Sequence, residues 1–427
     1  MKRKIGWMGA ILAASAALML FTGGDLRVAR GEDASILAPA GLMLSEYGNI
    51  IASTPSTSKL VVYGFDGGTY QLYSTIEPES GHHFDIGDVD NDPSTSEIAV
   101  ARFYAVGPKK NPAYEVCVTV YKEGFSGIWR SCCSSITNTM ASSEQVLIAD
   151  VDNDSLNEIL VLTHESLVIF KYSTQGLTVL SSMSYPKDYE GLNLNLQSVR
   201  VSPQDVNGDG LKEIYVSAII PGGIDPTLRG YLMIFPNFRL STFTLHPSDG
   251  QLTNGQLRVG DITGDGDFEI CSPGCDYIGG NLYRGYIYVW DKWGNPWTPL
   301  AIPETDSSTY KLSKMDIGEL RGDIPGLEIA ICLGKRLDIY DANNYALNFI
   351  VRRTDFPMIP YGGFNEIRIW DSNGDGVNEI NVGGATKSRG SSYGCYLGVF
   401  NAILNSIWEH AESPRNEGEV FHIAIGK

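Results

Sequence analysis

The sequence predicts an all-β fold, a seven-bladed β-propeller of four-stranded antiparallel blades in which both chain termini close one blade. Three observations lead there. An acidic motif between apolar runs recurs six times, at intervals of 62, 55, 56, 58 and 52 residues. Each recurrence carries further strand-like runs, four in all. The two ends of the chain hold complementary parts of a seventh copy.

The copies open at Asp88 (DVDNDPSTSEIAV), Asp150 (DVDNDSLNEILVL), Asp205 (DVNGDGLKEIYVS), Asp261 (DITGDGDFEICSP), Glu319 (ELRGDIPGLEIAI) and Asp371 (DSNGDGVNEINVG). An apolar strand enters each acidic loop, and a Glu-Ile pair starts the strand that leaves it. A third, apolar-aromatic strand follows, as at Leu167–Tyr172, Tyr231–Phe235, Tyr286–Trp290, Leu337–Tyr340 and Cys395–Phe400. A short turn then leads to a fourth. Units of about 50 residues with four antiparallel strands are propeller blades, and radial closure protects their edges. The run Glu419–Lys427 matches the strand before each loop, and Asn49–Gly64 matches the stretch after one. The termini are therefore expected to share a blade.

Residues 1–31 read as a signal peptide or an uncleaved anchor: Lys2, Arg3 and Lys4 precede an uncharged apolar run from Ile5 to Phe21, and small residues follow. Residues 32–427 are expected to form a single domain that is secreted, periplasmic or at the cell surface, with membrane contact only if the segment is retained. The 427 residues carry a net charge of -18. Residues 1–31 contribute five cations (Lys2, Arg3, Lys4, Arg27, Arg30) against Asp25, or +4, so the remainder carries -22. Such a surface repels nucleic acid and suits cations. Seven cysteines in an oxidising compartment should pair in part: Cys117 lies in one strand-like run and Cys132 and Cys133 in the next, which allows a cross-strand disulfide to either, and the spacing does not choose between them.

The acids fall in register. Positions one, three and five of the loop carry oxygen side chains, position six is often Gly, and a Glu closes at position nine. This spacing points several oxygens at one hard cation. The sets are Asp88, Asp90, Asp92 and Glu97 (one residue longer); Asp150, Asp152, Asp154 and Glu158; Asp205, Asn207, Asp209 and Glu213; Asp261, Thr263, Asp265 and Glu269; and Asp371, Asn373, Asp375 and Glu379. In the copy at Glu319, Arg321 stands where an oxygen is needed, and its cation is expected to pair with Asp323 or Glu328. Unneutralised, five such clusters would destabilise every hairpin.

The Asp-x-Asp-x-Asp-Gly-x-x-Glu motif and its spacing resemble the FG-GAP/VCBS repeat family, whose members include the propeller heads of integrin α subunits. The resemblance covers nearly the whole chain after residue 31. It implies that the five sets are ligands of about five Ca2+ ions, with Pro93 and Ser155 departing from the usual Gly and the Glu319 copy binding weakly or not at all. Family members act as adhesins, lectins and parts of polysaccharide lyases. The resemblance therefore implies a recognition or adhesion module for an extracellular glycan or protein; the alternative is a lyase-like, polysaccharide-active enzyme.

Strand alternation puts the acidic loops and the third-to-fourth turns on one face, and the second-to-third connections on the other. These connections read as long loops at 104–114, 221–229, 272–284 and 383–394. Tyr277, Tyr283 and Arg284 in the longest are candidates for stacking on and hydrogen-bonding a ligand. On the acidic-loop face, Trp293 sits in a turn and is a candidate exposed platform, whereas Trp290 and Trp297 are expected in the core. No catalytic motif is found in the sequence, so the chain reads as a binding scaffold rather than an enzyme. Three residues before each opening acid lie Asp85, Leu147, Arg258, Asp316, Arg368 and Ala424, which predicts an Arg258–Asp316–Arg368 ladder along the central channel.

Overall fold

The computed structural model of the chain describes residues 49–54, 59–76, 83–92, 95–108, 110, 112–122, 128–138, 144–185, 194–220, 230–248, 251–252, 256–279, 282–302, 314–342, 346–356, 364–387, 393–411 and 422–426. The reading of 1–31 lies outside them. The described residues form seven antiparallel sheets and no helix. No helix among them is long and apolar enough to cross a membrane.

Blade I joins His422–Gly426 to Asn49–Thr54, Lys59–Phe65 and Tyr70–Ile76. Blade II comprises Phe84–Gly87, Glu97–Val106, Ala113–Tyr121 and Ile128–Asn138; blade III comprises Gln145–Ala149, Glu158–Leu162, Ser166–Ser173 and Gly176–Ser184. Blade IV comprises Asn195–Val201, Ile214–Ile219, Gly230–Phe235 and Thr244–Pro247. In blade V the inner strand is split into Gln251–Leu252 and Arg258–Gly260, both paired to Glu269–Gly279, so that sheet counts five strands with Leu282–Asp291 and Leu300–Ala301. Blade VI comprises Lys314–Gly318, Glu328–Leu333, Arg336–Asp341 and Asn348–Arg353; blade VII comprises Phe364–Trp370, Glu379–Lys387, Tyr393–Phe400 and Ser406–Ala411.

The expected closure is present. Ile50 faces Ile425 and Asn49 faces Gly426 in an antiparallel pair. The seven inner strands neighbour one another in cyclic order, and His422–Gly426 sits between those of blades VII and II. Close approach at this ring demands small residues at the strand ends. A Cβ on Gly318 would lie 2.5 Å from the Ile369 side chain, and one on Gly260 would lie 2.7 Å from that of Leu327.

The core is distributed between blades rather than gathered at a centre. Seven apolar clusters occupy the seven blade–blade interfaces. The pleat explains why the second strands read as continuous apolar runs. In Glu158–Leu162, Ile159 and Val161 pack toward blade II, while Leu160 and Leu162 pack toward blade IV. A sheet buried on both faces has no polar side to show.

Cys117 and Cys132, directly opposed across neighbouring strands of blade II, form a disulfide, and Cys133 is left as a buried thiol. Trp290 is buried and Trp297 half-buried against the cluster between blades V and VI, as expected.

One expectation is corrected. Three of the four long second-to-third loops are extended β-ribbons: pairing continues to Val106↔Ala113, Gly279↔Leu282 and Lys387↔Tyr393. Backbone pairing carries each ribbon almost to the tip, through Gly and Pro residues in blade V and Gly residues in blade VII. The fourth, at 221–229, lies outside the described residues.

Candidate functional site

The acidic loops are built by their own backbone. Positions four and six take positive φ: Gly208, Gly264 and Gly374 at 75 to 79°, and Gly210, Gly266 and Gly376 at 85 to 91°. Asn91 and Asn153 serve at position four in blades II and III, and Ser155 holds φ 69° at position six, where an L side chain is strained. Pro93 could not adopt that angle at all, and it lies outside the described residues. These turns aim loop N–H groups inward. In blade VII, Asp371 accepts from Gly374 N (2.6 Å), Asp375 N (3.0 Å) and Gly376 N (2.9 Å). Asp261 does the same in blade V with Gly264, Asp265 and Gly266. In blade IV, Asp205 accepts from Gly208 and Gly210.

The closing Glu has a fixed job in six loops. One of its oxygens accepts the N–H of position two: Val89 to Glu97 (2.8 Å), Val151 to Glu158 (3.0 Å), Val206 to Glu213 (2.9 Å), Ile262 to Glu269 (3.0 Å), Leu320 to Glu328 (2.8 Å) and Ser372 to Glu379 (2.9 Å). The second oxygen turns toward the loop, where that of Glu213 accepts the Asn207 N–H at 3.0 Å and that of Glu328 is buried without a hydrogen bond. Glu97, Glu158, Glu269, Glu328 and Glu379 all have raised pKa values, burial being the largest cause and neighbouring carboxylates adding to it. Glu269 is pushed up to about 7.

Among the described residues, three loops bring their acids close enough to hold a metal ion together: Asp88, Asp90 and Glu97; Asp150, Asp152 and Glu158; and Asp371, Asp375 and Glu379, each with ligand oxygens within 4.8 Å of one another. In the first two, Asp90 Oδ1, Asp150 Oδ1 and Asp152 Oδ1 are buried without a hydrogen-bond partner, which fits a cation as the missing neighbour. In blade VII the Asn373 amide nitrogen donates to Asp375 (3.2 Å) and Glu379 (2.9 Å), so a positively polarised group already sits among the acids. In the degenerate loop, Arg321 pairs with Asp323 at 3.0 Å rather than with Glu328.

One pair of residues decides much of the electrostatics and escapes a reading of the loops alone. The third-strand register sets one residue across from each closing Glu. There blades II and III carry Lys122 and Lys171, blade IV Pro236, blade V Asp291, blade VI Asp341 and blade VII Asn401. Lys171 Nζ lies 2.6 Å from Asp152, 2.7 Å from Asp154 and 3.0 Å from Glu158, at the centre of its loop. Lys122 pairs with Asp90. The three carboxylates raise the pKa of Lys171 against the effect of burial, so it stays charged.

The loops also join blade to blade. Asn157 donates to Asp88 O (2.7 Å), Leu327 N to Asp261 O (2.8 Å) and Asn378 to Glu319 O (2.8 Å), and Lys212 pairs with Asp150 at 3.1 Å.

The four candidate ligand-binding residues do not share a site. Tyr277 and Tyr283 are direct partners in the blade V ribbon, and Arg284 is exposed beside them opposite Asp276. The side chains of both tyrosines lie outside the described residues. Trp293 is 52% exposed on the acidic-loop face. It borders a groove of about 320 Å³ between blades IV and V, lined also by Phe243, His246, Lys292, Asn207 and Glu213. Gly294 lets the Trp293 turn pack closely on blade IV: a Cβ there would lie 2.7 Å from Ile234 and 2.8 Å from His246. The sequence shows Trp293 and Lys292 but not the residues that blade IV sets against them.

No protein-family model and no curated protein matches the chain. Its fold is similar to that of a Bacteroides uniformis protein named putative 6-phosphogluconolactonase, at 12% identity over 89% of this chain and 99% of that one, with a TM-score of 0.50. A Synechocystis apocarotenoid oxygenase variant is similar at 8% identity over 88% of this chain and 74% of that one, with a TM-score of 0.37. At such identities the likeness bears on fold alone. The class is thus an all-β propeller with acidic clusters able to hold metal ions.

Proposed function

We propose that the chain is an exported, calcium-binding propeller of the FG-GAP/VCBS type that acts as a recognition module for an extracellular glycan or protein. The observation that carries this reading is the groove beside the blade IV loop. An exposed indole, flanked by Asn207, His246 and Lys292, offers a stacking platform with polar groups at its rim, as a sugar ring needs. Glu213 belongs at once to the groove lining and to the acidic loop, so an ion in the loop would fix one wall. On a glycan array, the chain with Ca2+ should bind a defined set of glycans, and Trp293→Ala should lose about tenfold or more in affinity. Retention of wild-type binding by Trp293→Ala, or an empty array, sinks the groove as the site.

Calcium supplies the charge that the loops lack, and two loops already contain a substitute. Adding Ca2+ should raise the melting temperature over that in EDTA, growing with free ion by mass action. Lys171→Met should raise calcium affinity at blade III by about tenfold or more, because the ion no longer competes with a tethered ammonium. The pH dependence has a definite sign. Glu269 binds its proton more tightly when folded, so the cation-free chain loses stability as pH rises from about 4.5 through about 7. Calcium should remove that loss. A melting temperature indifferent to EDTA, or unchanged calcium titrations for Lys171→Met, would count against the assignment.

A further inference from the structure

Several positions facing the channel are charged, and blade IV contributes one unexpectedly. Two extra residues, Pro203 and Gln204, separate its inner strand from its loop. Strand register therefore aligns Arg200, not Ser202, with Arg258, Asp316 and Arg368. Arg200, Arg258 and Arg368 share one pose: each donates Nη1 to the carbonyl of its preceding residue, at 2.7, 2.7 and 3.0 Å.

The carboxylates here are engaged. Asp316 pairs with Arg258 and accepts the Ile369 N–H at 2.7 Å. Glu366 pairs with Arg368 and accepts the Gln256 amide at 2.9 Å. Asp85 accepts the Ile148 N–H at 2.8 Å. The cations are less well matched. Among the described residues Arg200 makes no ion pair, and its hydrogen bond goes to the Val199 carbonyl. Lys314, two positions before Asp316, makes neither a hydrogen bond nor an ion pair there. Arg258 is 4% exposed, and its Nη2 is buried without a hydrogen bond, 3.8 Å from Glu366 and too far to donate.

These three donors lie on the inner strands of consecutive blades IV, V and VI. We infer that Arg200, Arg258 and Lys314 form an oxyanion site in the channel, suited to a carboxylate or phosphate group. The anion would accept from the orphaned Arg258 Nη2 and neutralise two cations that have no carboxylate of their own. The electrostatics agree. Burial, with Arg258 and Arg368 adding to it, pushes the pKa of Arg200 well down, and burial lowers that of Lys314 against the opposing field of Glu366. Glu144, the other acid whose field reaches Lys314, pairs with His164 at 2.9 Å. The site is independent of the groove and of the acidic loops.

The test is calorimetric titration of the full chain, at constant ionic strength in chloride, with sulfate, with inorganic phosphate and with glucuronate. Saturable binding near one equivalent is expected for at least one of them. Equal binding of all three identifies a free oxyanion, and preference for glucuronate identifies a sugar carboxylate. The double variant Arg200→Met/Lys314→Met should bind at least about tenfold more weakly. Arg200→Lys should retain most of the affinity, and Arg239→Met, exposed and away from the channel, should change nothing. Circular dichroism on each variant separates loss of site from loss of fold. No saturable binding by any probe, or wild-type affinity in a folded double variant, overturns the inference.

Discussion

Deleting Glu417–Lys427 is expected to yield aggregated rather than folded protein. The deletion removes His422–Gly426, the inner strand of blade I, and bares the edge formed by Asn49–Ser53. It takes Ile423 out of the cluster between blades VII and I, and it leaves the inner strands of blades VII and II without their shared neighbour. An open ring thus presents unpaired N–H and C=O groups together with uncovered apolar faces, the combination that promotes edge-to-edge association. Size-exclusion chromatography and circular dichroism decide the matter. A soluble, monomeric truncated chain with the full chain's spectrum would show that the seam is dispensable.

Asp316→Ala should destabilise the chain by about 3–5 kcal/mol, the cost of stranding one member of a buried ion pair. Arg258 would keep only Glu366, at 3.8 Å, and the Ile369 N–H would lose its acceptor. Urea denaturation measures the loss. Asp316→Asn, which keeps an acceptor for Ile369, should fall between the two. Asp323→Ala, at the exposed partner of Arg321, should leave the midpoint unmoved, since solvated pairs contribute little. A loss for Asp316→Ala no larger than that of Asp323→Ala would show that the channel pair is solvated like a surface one.

The alternating Arg258–Asp316–Arg368 ladder forms only in part. Arg258 and Asp316 pair across blades, but Arg368 turns to Glu366 on its own strand, and the second oxygen of Asp316 goes to backbone. That second use belongs to a wider pattern. Gln145 accepts the Val199 N–H, Ser198 the Leu257 N–H and Gln256 the Met315 N–H, so side chains of one inner strand clasp the backbone of the next around much of the ring.

Period and closure were legible in the sequence because they depend on spacing along one chain. Asp88 to Asp371 repeat in register, and Ile423 and Ile425 alternate as every other inner strand does. What depends on a neighbour was not legible. Lys171 lies 13 residues beyond Glu158 in sequence, and only strand pairing sets it beside the loop. The insertion of Pro203 and Gln204 hid Arg200 from any count made backward from Asp205. The ribbons at 104–114 and 272–284 looked like loops because Gly and Pro interrupt them, yet both pair almost to their tips.

The shared blade has a consequence in time. A ribosome delivers blades II to VII as consecutive strands, each able to pair as it emerges. Asn49–Thr54, Lys59–Phe65 and Tyr70–Ile76 precede them and must wait for His422–Gly426, since Asn49 meets Gly426. Over that interval the earliest-made sheet keeps an open edge, and Val61 and Tyr63 lack the blade VII residues that will cover them. Of the seven blades, the one whose strands are made first is therefore the last to be completed. An edge left open for that interval is exposed to association with other strand edges.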